Sequence, residues 1–171
     1  MSQQLLASHV LQDAIRPALE ACGPAFATPA AERLVLGTAA AESGFAELHQ
    51  RGRGPAMGLW QMEPATFFDL RDRFLAGRPQ LRAAALRYAS GGMLADIEPH
   101  ELAWNLRVGA LFCRLRYAMD PRQLPDAGDL QAEAETWKRV YNTHLGAGTV
   151  DHYLRAWQLH CARIYPEGES A

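Results

Sequence analysis

A polar cluster between residues 41 and 66 contains the side chains of this chain that are best suited to acid–base chemistry. Glu42 lies at the end of an amphipathic, Ala-rich stretch and directly before Ser43. A carboxyl group that donates a proton near neutral pH needs a pKa raised from about 4.3. The negative end of a helix dipole and an apolar setting both raise it, and Glu42 has Ala39–Ala41 before it and Phe45 after it. We therefore predict that Glu42 is a general acid and base.

Two further segments offer polar groups that can hold a substrate beside this acid. Residues 58–66 read Gly-Leu-Trp-Gln-Met-Glu-Pro-Ala-Thr, and the amide of Gln61 can both donate to and accept from sugar hydroxyl or acetamido groups. Tyr141 and Asn142 follow at the end of a later helical stretch. A core tyrosine followed by a helix stop would give the same pattern without any function.

Together, the three segments resemble the signature of the lysozyme-like lytic transglycosylases: Glu-Ser, then Gly-Leu-Met-Gln-x-x-Pro-x-Thr, then Tyr-Asn. The similarity spans residues 38 to 145. It implies a lysozyme-like helical domain that cleaves the β-1,4 bond between MurNAc and GlcNAc in peptidoglycan glycan strands and leaves a 1,6-anhydroMurNAc end. In such a domain Glu42 is the only catalytic acid and base, and no cofactor or metal is needed. The resemblance also implies substrate contacts from Ser43, Gln61, Tyr141 and Asn142.

The chain departs from this signature at three places. Trp60 replaces the common Met, and its indole either stacks on a sugar face or belongs to the core or rim. Glu63 replaces an apolar residue, and a second carboxylate there raises the pKa of Glu42 or activates water. The place of Glu63 before Pro64 also suits a helix N-terminus, where an acid needs no catalytic reason. After Asn142, Thr-His-Leu-Gly replaces the family's small residues.

Two other functions remain open at this stage. One is a lysozyme-type hydrolase that uses Glu42 together with Glu63 or Asp69 and a water molecule. The other is a catalytically silent protein that binds the cell wall or builds a virion while keeping the fold. Intact Glu42, Gln61 and Asn142 argue against the silent protein.

Helical periodicity dominates the chain, and alternating strand patterns are nearly absent. Thr28 and Pro29 suit the start of a helix, and Gly44 suits its end. The Gly-rich residues 50–58 predict a surface loop, with room for a minimal β-hairpin nearby. The sequence thus predicts an all-α, lysozyme-like fold in a single domain over residues 1–171. Its helices are expected at residues 3–21, 29–43, 64–74, 80–89, 99–119, 130–141 and 150–164.

Composition and cysteine usage exclude several classes of function. The net charge is −2, with 17 Lys and Arg against 19 Asp and Glu, so nothing suggests a nucleic-acid partner. The six histidines form no His-Glu-x-x-His pattern, and no metal site is predicted. Three cysteines without a Cys-x-x-Cys pair indicate buried free thiols, and Cys113 and Cys161 fall on apolar faces.

The first twenty residues bear on where the protein is made. They lack a cationic start and an apolar run, which excludes an ordinary signal peptide and a membrane-inserted helix. A wall-cleaving enzyme of this kind leaves the cell by another route. We therefore expect a phage or prophage protein that is made in the host cytoplasm and acts on the cell wall, either as a lysis protein (endolysin) or carried by the particle.

Overall fold

The computed structural model describes residues 7–142 and 146–165, with the side chain of Arg53 excepted. The predicted helix start at residue 3 lies outside this part. Residues 143–145, which differ from the small residues of the family signature, also lie outside it. The all-α prediction is confirmed, and the described residues form eight helices. These are α1 (π-helical Val10–Ile15 continuing as Arg16–Cys22), α2 (Pro29–Ser43), α3 (Pro64–Phe68 continuing as π-helical Asp69–Phe74), α4 (Pro79–Tyr88), α5 (Glu101–Trp104), α6 (Leu106–Ala118), α7 (Leu130–Thr136 continuing as π-helical Trp137–Asn142) and α8 (Val150–His160).

Helix α2 runs through the centre of the protein. Every residue from 34 to 41 is buried, so this part of the helix is covered on all sides, although the sequence suggests an amphipathic helix. Its start is as predicted, because Thr28 Oγ1 accepts a hydrogen bond of 3.2 Å from the Ala31 N–H. Its end is also as predicted, since Gly44 adopts the left-handed conformation with φ of 55°. The core helix therefore ends at Ser43, one residue after Glu42.

The helices around α2 hold the later part of the chain against it. Helix α8 packs along α2, and α6 packs against both α1 and α2. Thr38 Oγ1 lies 2.7 Å from the hydroxyl of Tyr117 on α6, and Tyr117 in turn stacks on Tyr141 at 5.7 Å between ring centroids. This chain of contacts fixes the end of α7 beside the end of α2.

A buried ion pair joins three of these helices. Arg33 Nε donates to Glu133 Oε1 at 2.6 Å, and the side chains are 11% and 0% exposed. The same guanidinium lies over the Trp157 ring at 4.4 Å. Removing one partner of such a pair leaves an uncompensated buried charge, which typically costs about 3–5 kcal/mol. The pair therefore pins α7 and α8 to the central helix.

The segment between α2 and α3 contains backbone pairing but no named strand. His49 pairs with Met57, and Met57 pairs with Met62, each as an isolated antiparallel bridge. The predicted minimal hairpin is thus reduced to single bridges. The four residues between Met57 and Met62 form a tight turn that is closed by the second bridge. The single-turn 3₁₀ helices Arg51–Arg53 and Leu94–Asp96 complete the connections.

The predicted helix over residues 99–119 is divided in two. Asn105 has φ of −101° and ψ of 89°, which ends α5, and its Oδ1 accepts from the Val108 N–H to begin α6. Its Nδ2 donates to Glu101 Oε1 at 2.8 Å. Periodicity missed the break because apolar residues continue on both sides of an asparagine whose side chain serves as a cap.

Two expectations from composition can be compared with the structure. Cys113 and Cys161 are buried free thiols, as predicted, and Cys22 is buried and free as well. Among the described residues, no helix has the length and apolar character that crossing a membrane requires.

Candidate active site

A cleft of about 980 Å³ opens at the C-terminal end of α2. The end of α2, the turn before α3, the end of α7 and one face of α8 all contribute to its lining. A volume of this size lies at the upper end of the range for ligand-binding clefts. Six of the predicted site residues line it: Glu42, Ser43, Gln61, Glu63, Tyr141 and Asn142.

Glu42 occupies the last turn of α2, one residue from its end. Burial raises the pKa of Glu42 to about 7, because the carboxylate form loses hydration there. Two donors oppose this rise in part. Trp137 Nε1 donates to Glu42 Oε1 at 2.9 Å, and the side-chain amide of Asn142 also stabilises the charged form. Glu42 is therefore poised between its two protonation states near neutral pH, as an acid that donates a proton and then takes one back must be.

Gln61 reaches the cleft from a strained turn. Its backbone has φ of +43°, and its N–H donates to the Gly58 carbonyl at 3.0 Å. Its side-chain Nε2 donates to the same carbonyl at 2.9 Å. Both donations fix the amide within the turn, and Oε1 is the part of the side chain that remains for a ligand donor.

Both the backbone conformation and the close packing at position 58 require glycine. Its φ is 76°, and a Cβ there would lie 2.2 Å from the carbonyl oxygen of Leu102. The backbone at Gly58 thus lies close to α5 inside the protein. Leu59 and Met62 are buried in the core, so the turn is anchored on both sides of Gln61.

The prediction that Trp60 binds substrate is wrong. Its side chain is only 1% exposed and does not line the cleft. Its Nε1 donates to the carbonyl of Val35 on α2 at 2.9 Å, and its own carbonyl accepts from the Tyr141 hydroxyl at 2.8 Å. Trp60 therefore belongs to the core, the alternative that its sequence left open, and it holds the Gln61 turn against α2.

Tyr141 and Asn142 end the π-helical part of α7. Burial raises the pKa of Tyr141 well above its ordinary value, and its hydroxyl is engaged with the Trp60 carbonyl. Tyr141 thus lines the cleft as a neutral, fixed ring. Asn142 lies on the same segment as Trp137, five residues earlier. In an α-helix, two side chains five residues apart point in directions that differ by about 140°. A π-helical turn is wider, so the same spacing brings the two side chains closer to one face.

Ser43 and Glu63 both line the cleft, but of the two only the Ser43 side chain is engaged in hydrogen bonds with other residues that the structure describes. The Ser43 hydroxyl donates to the Ala39 carbonyl at 3.0 Å and accepts from the Phe45 N–H at 3.2 Å, so it stabilises the end of α2. Glu63 is exposed at the N-cap of α3, without a capping hydrogen bond from its side chain. Asp69 does not line the cleft, and its carboxylate lies 3.4 Å from Arg73.

Three residues that contact the predicted site residues or the backbone beside them were not found from the sequence. Trp137 donates to Glu42, and His152 Nε2 donates to the Ala41 carbonyl at 2.7 Å, just before Glu42. Lys138 Nζ donates to Asn142 Oδ1 at 2.9 Å. Trp137 and Lys138 precede Tyr141 and Asn142 by one helical turn, a spacing that would have indicated them. His152 offers no such signal, because it is distant in sequence from α2.

No group of three or more His, Cys, Asp or Glu side chains converges as a metal site in the part of the chain that the structure describes. The candidate active site centres on the half-buried carboxyl group of Glu42, whose donors are the neutral side chains of Trp137 and Asn142. Comparison of the chain with family models, curated proteins and solved structures found no significant match.

Proposed function

We propose that this protein is a peptidoglycan lytic transglycosylase. The observation that carries the proposal is Glu42, a carboxyl group with its pKa raised to about 7 that lies in a cleft of about 980 Å³ together with Gln61, Tyr141 and Asn142. These are the residues on which the sequence resembles the family. The lysozyme-like relationship, the cell-wall substrate and a phage origin are part of the same proposal.

The chemistry requires one group that acts twice. Neutral Glu42 donates its proton to the oxygen of the MurNAc–GlcNAc β-1,4 bond as that bond breaks. The acetamido group of MurNAc supports the oxocarbenium-like centre at C1, as in other substrate-assisted glycosidases. The Glu42 carboxylate then removes the proton of the C6 hydroxyl, whose oxygen bonds to C1 and closes the 1,6-anhydro ring. A proton leaves and returns to the same carboxyl group, and no water is consumed.

Mass analysis of digested peptidoglycan tests this proposal. We expect products that end in 1,6-anhydroMurNAc, one water lighter than those of hydrolysis. Glu42→Gln is expected to fold and to lower turnover by about two orders of magnitude or more, the usual loss when general-acid help is removed. Gln61→Ala and Asn142→Ala are expected to weaken activity less and to keep the same products. A protein without activity on any peptidoglycan would instead support the silent wall-binding or virion role.

One observation favours hydrolysis as a second candidate. Glu63 lines the same cleft as Glu42, so a second carboxylate is present that can activate a water molecule. The two reactions differ in product and in their need for Glu63. Under the transglycosylase proposal, Glu63→Gln still releases anhydro products. Reducing-end MurNAc from the wild type, together with loss of activity in Glu63→Gln, would establish hydrolysis.

A further inference from the structure

The charges on the cleft lining differ from those of the whole chain. Three arginines and three glutamates line the cleft, although the chain carries a net charge of −2. One arginine and one glutamate, Arg51 and Glu47, form an ion pair with each other. Glu42 is about half neutral at pH 7 and fully neutral when it acts as the acid. In that form of Glu42, the three arginines of the lining face only two charged glutamates, so the lining has a net positive charge. An anionic ligand is therefore favoured in this cleft over the rest of the surface.

The two remaining arginines are available to a ligand. In residues 7–142 and 146–165, no carboxylate lies within ion-pair distance of Arg116 or Arg155. Arg116 contacts the sulfur of Met119 at 3.8 Å, and Arg155 is exposed on α8. A guanidinium presents a planar set of donors that fits a carboxylate in a bidentate manner.

The face of α8 that borders the cleft combines this charge with apolar surface. Residues 152, 155, 156, 159 and 160 line the cleft, and their spacing of three and four places them on one side of the helix. Leu159 is 71% exposed on this side, one turn after Arg155. A ligand that carries carboxylates together with small apolar groups is complementary to such a face.

We propose that Arg155 and Arg116 bind the carboxylates of the peptide stems attached to the glycan, so that the cleft selects peptide-bearing strands. This inference rests on the proposed function. The sugars of a fully substituted strand are uncharged, because each lactyl carboxyl group is joined to its peptide by an amide bond. The negative charges of the substrate therefore lie on the stems, whose alanine methyl groups suit the apolar side chain of Leu159.

Kinetics on two forms of the same peptide-bearing strands test the inference. One form is native, and in the other the stem carboxylates are converted to carboxamides with carbodiimide and ammonia. We expect Arg155→Gln and Arg116→Gln each to lower kcat/KM on native strands by roughly three- to tenfold, the usual effect of one lost hydrogen bond of ordinary net strength. On the carboxamide strands both variants should match the wild type within about twofold.

A matched control and the contrary outcomes complete the experiment. Arg82→Gln removes an equal charge from an exposed site on α4, outside the cleft, and should leave both rates unchanged. Equal losses on native and carboxamide strands, or no loss on either, would overturn the inference while the proposed function stands. A wild-type protein that cleaves neither form would overturn the proposed function itself.

Discussion

The indole of Trp137 donates a hydrogen bond of 2.9 Å to Oε1 of Glu42, in a site where burial disfavours the carboxylate. The two effects act in opposite directions on the same group. Burial keeps Glu42 protonated until about pH 7, and the indole stabilises the carboxylate, the form that the proposed mechanism requires after the first proton transfer. The contact therefore lowers the pKa that burial alone would give to Glu42.

The first prediction concerns this contact. In Trp137→Phe the carboxylate loses its donor, so we expect the pKa of Glu42 to rise above about 7 and the alkaline limb of the pH–rate profile to move to higher pH. The measurement is kcat/KM on soluble glycan strands across pH 5–9. Because Trp137 is buried, the thermal unfolding midpoint of the variant is measured in parallel. An alkaline limb that stays in place, in a folded variant, would contradict the assignment of this contact.

The second prediction concerns stability and pH. The pKa of Glu42 is raised from 4.5 to about 7 in the folded protein, so the folded state holds this proton more tightly than the unfolded chain. The stabilisation is fully present below pH 4.5 and is lost as the pH rises through 7. The shift corresponds to about 3 kcal/mol. Glu42→Gln stays neutral and keeps an acceptor for Trp137.

We therefore expect Glu42→Gln to be more stable than the wild type at pH 8, by up to about 3 kcal/mol, and close to it at pH 4. Urea unfolding of both proteins at the two pH values measures this difference. A stability difference that does not change with pH would mean that the pKa of Glu42 is not raised. This measurement needs no substrate, so it is independent of the proposed function.

The sequence was sufficient to place Glu42 at the end of its helix and Gln61 in its turn, because those positions follow from local rules. Thr28, Pro29 and Gly44 determine where α2 begins and ends, and so they place Glu42 in its last turn. The turn containing Gln61 is similarly marked by Gly58 and Pro64. These signals depend only on neighbours within a few residues, and the structure agrees with each of them.

Contacts between distant segments were not predictable in the same way. Trp60 has the same local sequence whether its indole faces a sugar or the Val35 carbonyl, which lies 25 residues away in the chain. His152 bonds to the carbonyl of Ala41 across 111 residues. The apolar pattern also gives no sign of the widened π-helical turn at Trp137–Asn142.

The third prediction uses two glycines with nearly the same backbone. Gly58 has φ of 76° and Gly52 has φ of 73°, so alanine at either position adds a similar conformational strain of about 1–2 kcal/mol. Only at Gly58 does the added Cβ meet a neighbour, the Leu102 carbonyl at 2.2 Å, whereas nothing lies within 4 Å of it at Gly52. We expect Gly58→Ala to cost about 2–5 kcal/mol and Gly52→Ala about 1–2 kcal/mol.

Denaturant unfolding of the two alanine variants measures this difference, and activity adds a second comparison. Gly58→Ala should also lower activity, because the turn that carries Gln61 must move, whereas Gly52→Ala should not. Equal losses of stability would show that strain alone explains both variants and that the approach to α5 is not tight.

The fourth prediction concerns Lys138 as a positioning residue for Asn142. Its ammonium group donates to Asn142 Oδ1 at 2.9 Å and to the Gly146 carbonyl at 2.8 Å. An ammonium group only donates, so this contact fixes which end of the amide is the oxygen and leaves Nδ2 as the end that stabilises the Glu42 carboxylate. The backbone of Gly146, which lines the cleft, is held by the same group.

Lys138→Met keeps the length of the side chain and removes both donations, so the Asn142 amide is free to turn. We expect kcat/KM to fall by roughly tenfold, the effect of about 1.4 kcal/mol, and the alkaline limb of the pH–rate profile to move upward as Glu42 loses help for its charged form. Lys138→Arg retains charge and donors and should restore much of both properties. A purely structural role would lower stability without moving the pH profile. A folded Lys138→Met variant whose profile coincides with that of the wild type would therefore remove Lys138 from the control of Asn142.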